Sequence, residues 1–288
     1  AISSYDSGDF DRAIELFGRI LDLEPDNGTA AYELALSHQA SGNLKACIDI
    51  AKRYLRKFRK TEARADLLPQ LSTLQASCHS QAGDSRRALK VFRDGLERNP
   101  GHYDLNFNIA ITLLNGGEIE EAIGHLQRAI EASPGNPSPY YAIGAAYQDT
   151  GDRVRSMLAY LTFLQREFNT TRCAPAARAV IDQFFAGGDS QSDGIVLTLG
   201  PGALDDSDEL SSVDLFMSLA AATYIEDGQI KAPVAATMAD AIESFMEIGV
   251  SISADLDQAS FAGKYLVPDT KAIHEAGLGG PFSFFVVA

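Results

Sequence analysis

The chain has 288 residues, of which 45% are hydrophobic and 22% are charged, a composition typical of an ordered globular protein. No run of about 18 apolar residues is uninterrupted, so the sequence predicts no membrane-spanning helix. The net charge of −15 lies almost entirely in residues 180–288, where 3 basic and 17 acidic residues give −14. We therefore expect no nucleic acid and no anionic membrane as a partner of this half, because phosphate repels carboxylate.

A glycine recurs at a regular spacing through the first part of the chain. The successive spacings are 34, 41, 34 and 34 residues, and the longer one is a period with seven residues inserted around positions 60–66. Each glycine separates two short amphipathic patterns, so every period is predicted to contain a helix, a turn and a second helix. The glycines are Gly8, Gly42, Gly83, Gly117 and Gly151.

The second helix of each period carries a small residue five positions after the glycine, as a close helix–helix crossing requires. Nine positions after the glycine, four of the five periods have a large apolar residue. Pro25, Pro100 and Pro134 end three of these helices, because proline cannot continue a helix. The small residues are Ala13, Cys47, Ala88, Ala122 and Ser156.

This pattern resembles the tetratricopeptide repeat (TPR) family over about residues 1–168. The pairs Leu34-Ala35, Ile109-Ala110 and Ile143-Gly144 stand where the family has Leu-Gly in its first helix. The resemblance implies a mostly all-α fold, a TPR α-solenoid of about five helix–turn–helix repeats stacked into a right-handed superhelix. The predicted repeats are 1–26, which is truncated, 28–60, 67–101, 103–136 and 137–168.

The chain begins inside the first helix of a repeat. We therefore expect either an upstream segment or a removed targeting peptide, and the compartment stays open. Three cysteines are too few for a disulfide framework. Cys47 is interpreted as a packed thiol, and both a bacterial cytoplasm and a periplasm are compatible with the sequence.

A run of six basic residues ends the second repeat. An anion-binding or nucleic-acid patch and a solvated helix face are the two alternatives. Apolar residues keep helical spacing inside the run, which favours the solvated face. The basic residues are Lys52, Arg53, Arg56, Lys57, Arg59 and Lys60.

The pattern changes after the fifth repeat. Residues 174–186 form an amphipathic stripe of Ala177, Val180, Ile181 and Phe184, predicted to be a helix that caps the superhelix and completes a domain of residues 1–187. The polar stretch 188–194 is predicted to be a linker.

Residues 195–288 are predicted to form a small, acidic, mainly helical C-terminal domain with at most one or two short strands. One strand is expected at 195–199, and helices at about 209–226, 234–252, 257–265 and 270–275. Asp206 and Glu209 are expected to cap the first of these helices. The apolar run 282–287 is expected to be packed.

The resemblance also implies that the first helices line a groove for an extended or helical segment of a partner protein. Family ligand positions carried onto this sequence yield a neutral surface of amides, hydroxyls and aromatic rings. Only Asn108 matches the family's carboxylate clamp, so no such clamp is expected. The predicted groove residues are Tyr32, Leu36, Gln39, Thr73, Ser77, Gln81, Phe107, Asn108, Ile111, Asn115, Tyr141, Ala145 and Gln148.

No motif indicates catalysis, a metal or a cofactor. His38 and His79 occupy equivalent repeat positions near Cys47 and Cys78, and they are interpreted as tolerated packing residues rather than ligands. We therefore predict a non-catalytic protein–protein interaction scaffold or adaptor.

Two alternatives stay open. The C-terminal domain is a metal-binding or catalytic unit that the repeats target, or the protein forms a homo-oligomer through its first repeat or its apolar tail. Candidate residues for the metal or catalytic unit are Asp205, Asp206, Asp208, Glu209 and His274.

Overall fold

The fold is taken from a computed structural model. It describes residues 1–61, 65–167, 170–186, 188–191, 194–197, 199–200, 210–226, 229–230 and 260–268, together with positions 240, 243, 245 and 247. The chain divides into two compact units, residues 1–132 and residues 133–288. The sequence instead predicts its domain boundary at 188–194.

The first unit consists of helical pairs. Each pair is joined by one of the periodic glycines, and these adopt φ of about +80°, a left-handed conformation that costs glycine little. In three of these four pairs an aspartate or asparagine then caps the second helix, as Asp9 does by accepting a hydrogen bond from Arg12 N at 3.1 Å. The helices are α1 (Ile2–Asp6), α2 (Phe10–Leu23), α3 (Gly28–Ala40), α4 (Leu44–Thr61), α5 (Leu68–Gln81), α6 (Ser85–Leu96), α7 (Tyr103–Gly116) and α8 (Ile119–Ala132).

The core of the first unit follows the predicted repeat pattern. Ala13, Ala88 and Ala122, all predicted small positions, are fully buried where the two helices of a pair cross. The first helices α3, α5 and α7 also pack against one another in series. The prediction of helix–turn–helix repeats is therefore confirmed.

The prediction that Cys47 is a packed thiol is wrong. Cys47 forms a disulfide with Cys78, and their Cα atoms are 6.6 Å apart. Cys47 lies on α4 and Cys78 on α5, so the bond connects two successive repeats. Both residues are fully buried, and the pairing depends on a proximity that sequence spacing does not reveal.

The second unit contains the fifth helical pair and part of the acidic region. Strands β1 and β2 form an antiparallel hairpin in which Gly188 pairs with Leu197, and β3 and β4 form a second, shorter hairpin. Residues 262–266 form a π-helical turn. The other elements are α9 (Pro137–Thr150), α10 (Arg153–Arg166), α11 (Cys173–Phe185), β1 (Gly188–Gln191), β2 (Gly194–Leu197), α12 (Ser211–Tyr224), β3 (Ile225–Glu226) and β4 (Gln229–Ile230).

Buried polar contacts hold the second unit together. Arg153 on α10 donates to Asp214 Oδ1 and to Ser218 Oγ on α12, each at 2.6 Å. Arg153 and Asp214 are 7% and 5% exposed. Thr162 Oγ1 donates to the Leu266 carbonyl at 3.4 Å. The helix of the fifth repeat thus packs directly against the chain that follows it.

Several predictions for this region need correction. Within the predicted linker 188–194, the described residues Gly188–Gln191 and Gly194 lie in the paired strands β1 and β2. The N-cap of α12 is Leu210, without a side-chain capping bond, and the predicted capping residues Asp206 and Glu209 lie outside the described residues. On α11 the buried stripe begins at Ala176, with Ala177 only half-buried.

Other predictions fall beyond the described residues. They are position 198 of the strand predicted at 195–199, most of the helix predicted at 234–252, the start of the helix predicted at 257–265, the helix at 270–275, the apolar run 282–287 and all five candidate residues of the metal or catalytic unit. Among the described helices, none is both long and apolar enough to cross a bilayer.

Candidate functional site: the first-helix face

The first-helix face is the surface of α3, α5 and α7 in the first unit. Ten predicted groove residues lie on these three helices. Because the helices pack side by side, the face is continuous from one repeat to the next. Gln81 and Asn115 are exposed at its edge, and Thr73 Oγ1 has no hydrogen-bond partner among the described residues.

Tyr32 lies on α3, at one end of this face, and is half-buried. Burial raises the pKa of its hydroxyl, and the nearby Glu33, Tyr5 and Asp104 raise it further. Tyr5 belongs to the first repeat and Asp104 to the fourth, so charges from neighbouring repeats act on this hydroxyl.

The fourth repeat supplies an aromatic pair to the face. The rings of Tyr103 and Phe107 are stacked, with centroids 5.9 Å apart and an interplanar angle of 6°. Asn108 Nδ2 donates to the Asp104 carbonyl at 2.7 Å, so part of this amide is used within its own helix. Ile111, one turn after Phe107, is half-buried and adds apolar surface beside the two rings.

Three predicted groove residues lie on α9 in the second unit. The ring of Tyr141 packs edge-on against Tyr160 and Phe163, at centroid distances of 5.7 and 5.1 Å. Arg172 lies over the same ring at 5.7 Å. Gln148 Oε1 accepts from the Tyr160 hydroxyl at 3.4 Å, and Ala145 is half-buried. Sequence reasoning missed Arg172, because it lies outside the repeat pattern.

The predicted histidines are packing residues with different surroundings. His38 is half-buried, its Nδ1 atom has no hydrogen-bond partner among the described residues, and burial lowers its pKa. His79 lies on the opposite side of α5 from the first-helix face and lines a separate cleft. Within the described ranges, no three histidine, cysteine or acidic side chains are grouped as metal ligands.

Comparison with known proteins agrees with the repeat pattern. Residues 4–71 and residues 73–137 each match a family model described as tetratricopeptide repeat. This part of the chain therefore belongs to the tetratricopeptide repeat family. Repeats of this family generally serve protein–protein interaction and are typically non-catalytic.

More distant similarities extend over a little more than half of the chain. Over 186 residues the chain is 23% identical to Anaphase-promoting complex subunit 3 of Schizosaccharomyces pombe. The match covers 55% of this chain and 28% of that protein, so the chain spans only about a quarter of its curated relative.

Three solved structures are similar to part of the chain at low identity. MamA is 20% identical, with a TM-score of 0.47, and the match covers 57% of this chain and 92% of MamA. TTC0263 of Thermus thermophilus, described as a thermophilic TPR protein, is 20% identical with a TM-score of 0.49. The match covers 62% of this chain and 95% of TTC0263. YrrB, described as a TPR protein with an unusual peptide-binding site, is 18% identical with a TM-score of 0.46. The match covers 61% of this chain and 86% of YrrB.

Proposed function

We propose that this protein is a non-catalytic scaffold that binds a peptide segment of a partner protein on the first-helix face. The observation that carries the proposal is the continuous packing of α3, α5 and α7. These helices carry the half-buried aromatic rings of Tyr32 and Phe107 and the exposed amides of Gln81 and Asn115, which supports the proposal.

The chemistry of this face suits a peptide. Amide side chains hydrogen-bond a peptide backbone, and aromatic rings supply contact area at a low cost in conformational entropy. The predicted groove positions of this unit include no histidine, cysteine or lysine that could act as a base or nucleophile, which supports binding rather than catalysis.

Selection from a random peptide library with the full chain as bait tests the proposal. Affinities of the selected peptides are then compared between the native protein and the double variant Phe107→Ala/Asn115→Ala. Loss of one buried aromatic anchor costs at least about 2 kcal/mol, so we expect binding to weaken by more than about tenfold.

A matched pair of surface truncations, Arg19→Ala/Glu131→Ala, controls for unspecific effects, since both side chains are exposed on second helices. Circular dichroism checks that all variants fold. Selected peptides that bind the groove variant as tightly as the native protein would refute the assignment of the first-helix face.

A further inference from the structure

A second candidate site lies on the opposite side of the repeats from the first-helix face. The second helices α4 and α6 make few contacts with each other, whereas the first helices pack in series. Their divergence leaves a cleft of about 630 Å³, with Gln75 and His79 of α5 at its floor. All of these residues belong to the first unit.

The rim of this cleft is strongly cationic. Lys52, Arg56 and Arg59 come from α4, where spacings of four and three residues place them on one side of the helix. Arg87 and Lys90 face them from α6, and Asp94 is the one acidic residue among the described lining residues. These five basic residues define the basic cleft, in a protein whose net charge is −15.

Most of these charges have no ion-pair partner among the described residues. In the part of the chain that the structure describes, Lys52, Arg56, Arg59 and Lys90 form no ion pair. Arg87 pairs with Asp84 at 3.0 Å but its side chain is 73% exposed. Clustered like charges repel, so the cleft is set up for an anionic ligand.

The basic residues that end the second repeat lie on different sides of α4 and therefore have different surroundings. Arg53 lies over the ring of Tyr54 at 5.5 Å. Lys57 donates to the Pro25 carbonyl at 3.1 Å and pairs with Asp26. The run therefore contains residues that serve the fold as well as residues that line the cleft. Lys52, Arg53, Arg56 and Lys60 are exposed, in line with the predicted solvated face of a packed helix.

His79, at the floor of the cleft, lies near charges of both signs. Burial lowers its pKa, Asp84 raises it, and Arg87 and Lys52 lower it. A smaller adjoining cleft of about 290 Å³ shares Arg59 and Asp94 with the first. It is lined by Ser72, which is 1% exposed and whose hydroxyl has no partner among the described residues.

The residues that line the basic cleft favour an acidic peptide over a single-stranded nucleic acid as its ligand. Ile48 and Val91 provide partly exposed apolar surface beside the cations, and no described lining residue is phenylalanine, tyrosine or tryptophan. Single-stranded nucleic acids bind largely by stacking bases on aromatic side chains, so this cleft lacks their main platform. A peptide with alternating acidic and apolar side chains matches both the rim and the apolar surface.

We propose that the basic cleft is a second binding site, which takes an acidic, partly apolar segment of a partner protein. Carboxylates of the segment pair with the cations of α4 and α6, and its apolar side chains pack on Ile48 and Val91. The site is separate from the first-helix face, so that one scaffold holds two segments of different chemistry.

Fluorescence anisotropy with a short labelled peptide of glutamate and leucine tests this proposal on the full chain. The variant Arg56→Glu/Lys90→Glu reverses one exposed cation on each wall. We expect the peptide to bind the native protein in a salt-dependent manner and the variant at least about tenfold more weakly, since each reversal adds a repulsive contact.

The control variant Lys45→Glu/Lys60→Glu makes the same change in net charge on α4 outside the cleft, and both side chains are exposed. It should retain most of the binding, as should Phe107→Ala on the other face, so that the two proposed sites succeed or fail independently. Three outcomes would overturn the proposal: no binding at low salt, equal losses in both charge variants, or tighter binding of a single-stranded oligonucleotide of equal charge.

Discussion

The two compact units bury their helices in different ways. In the first unit, helix α6 buries Ala88 and Phe92, one turn apart, and leaves most of its surface to solvent. In the second unit, α10 is buried on all sides, including Arg153, Ser156 and Thr162. A helix buried on one stripe needs one neighbouring layer, whereas α10 needs the chain that follows the repeats to cover it.

The sequence separation of the contacts differs accordingly. Within the first unit, helices contact those one or two places away along the chain, and its disulfide closes a separation of 31 residues. In the second unit, the contacts of Arg153 with Asp214 and of Thr162 with Leu266 span 61 and 104 residues. The first unit therefore depends on a repeated local pattern, and the second on individual polar matches between distant segments.

The largest effect is expected from Asp214→Ala, which leaves Arg153 buried without its counter-charge. Removing one partner of a buried ion pair costs about 3–5 kcal/mol. Chemical denaturation followed by circular dichroism should show this loss in the free energy of unfolding of the second unit. Asp182→Ala removes the exposed partner of Arg178 and should have a much smaller effect. Similar losses in both variants would contradict the buried pair.

The next largest effect is expected from removal of the disulfide in the first unit. Closing a loop of this length stabilises a protein by about 3–4 kcal/mol through the entropy of the unfolded chain. Cys47→Ala/Cys78→Ala should lower the unfolding free energy by roughly that amount. Cys173→Ala is the control, because Cys173 is a free thiol. Thiol titration of the unfolded, unreduced protein should detect Cys173 alone, and three reactive thiols would refute the bond.

A moderate effect is expected at the small positions of the repeats. Ala122 is fully buried in the crossing of α7 and α8, so Ala122→Leu should destabilise the first unit by about 1–3 kcal/mol through overpacking. Ala132→Leu, at the exposed end of the same helix, provides the control. Thermal unfolding distinguishes the two variants. Equal midpoints would show that the crossing is looser than the repeat pattern implies.

The smallest effect is expected from a change in pH. The first unit should lose stability towards acid pH and the second unit towards alkaline pH. Burial lowers the pKa of His125 in the first unit from 6.5, so the stability it contributes is lost as pH falls below that value. Burial raises the pKa of Tyr160 in the second unit from 10.0 to about 12, so its contribution is lost as pH rises through this range.

Denaturant midpoints across both pH ranges measure these losses, which are at most about 1.4 kcal/mol per pH unit for each group. His125→Gln should reduce the acid dependence and Tyr160→Phe the alkaline dependence. If each variant shows the same pH dependence of its denaturant midpoint as the native protein, His125 and Tyr160 do not cause the predicted losses of stability.

The sequence predicted which helices carry the residues of the candidate site, but not the contacts that these residues make. The repeat pattern correctly assigned Tyr32, Thr73 and Phe107 to consecutive first helices. It did not predict that Tyr141 packs against Phe163 and lies under Arg172, because such contacts depend on which residues lie opposite each other. That the thirteen predicted groove residues bind a partner stays a prediction.

The sequence by itself determined the repeat period, the glycine turns, the buried small residues and the membership of residues 4–137 in the TPR family. These features follow from local geometry, since a left-handed turn selects glycine and a close crossing selects small side chains. Only the tertiary structure decided that Cys47 bonds to Cys78, which basic residues line the cleft, and that Arg153 joins α10 to α12. Each of these depends on distances between separate elements, which no local pattern encodes.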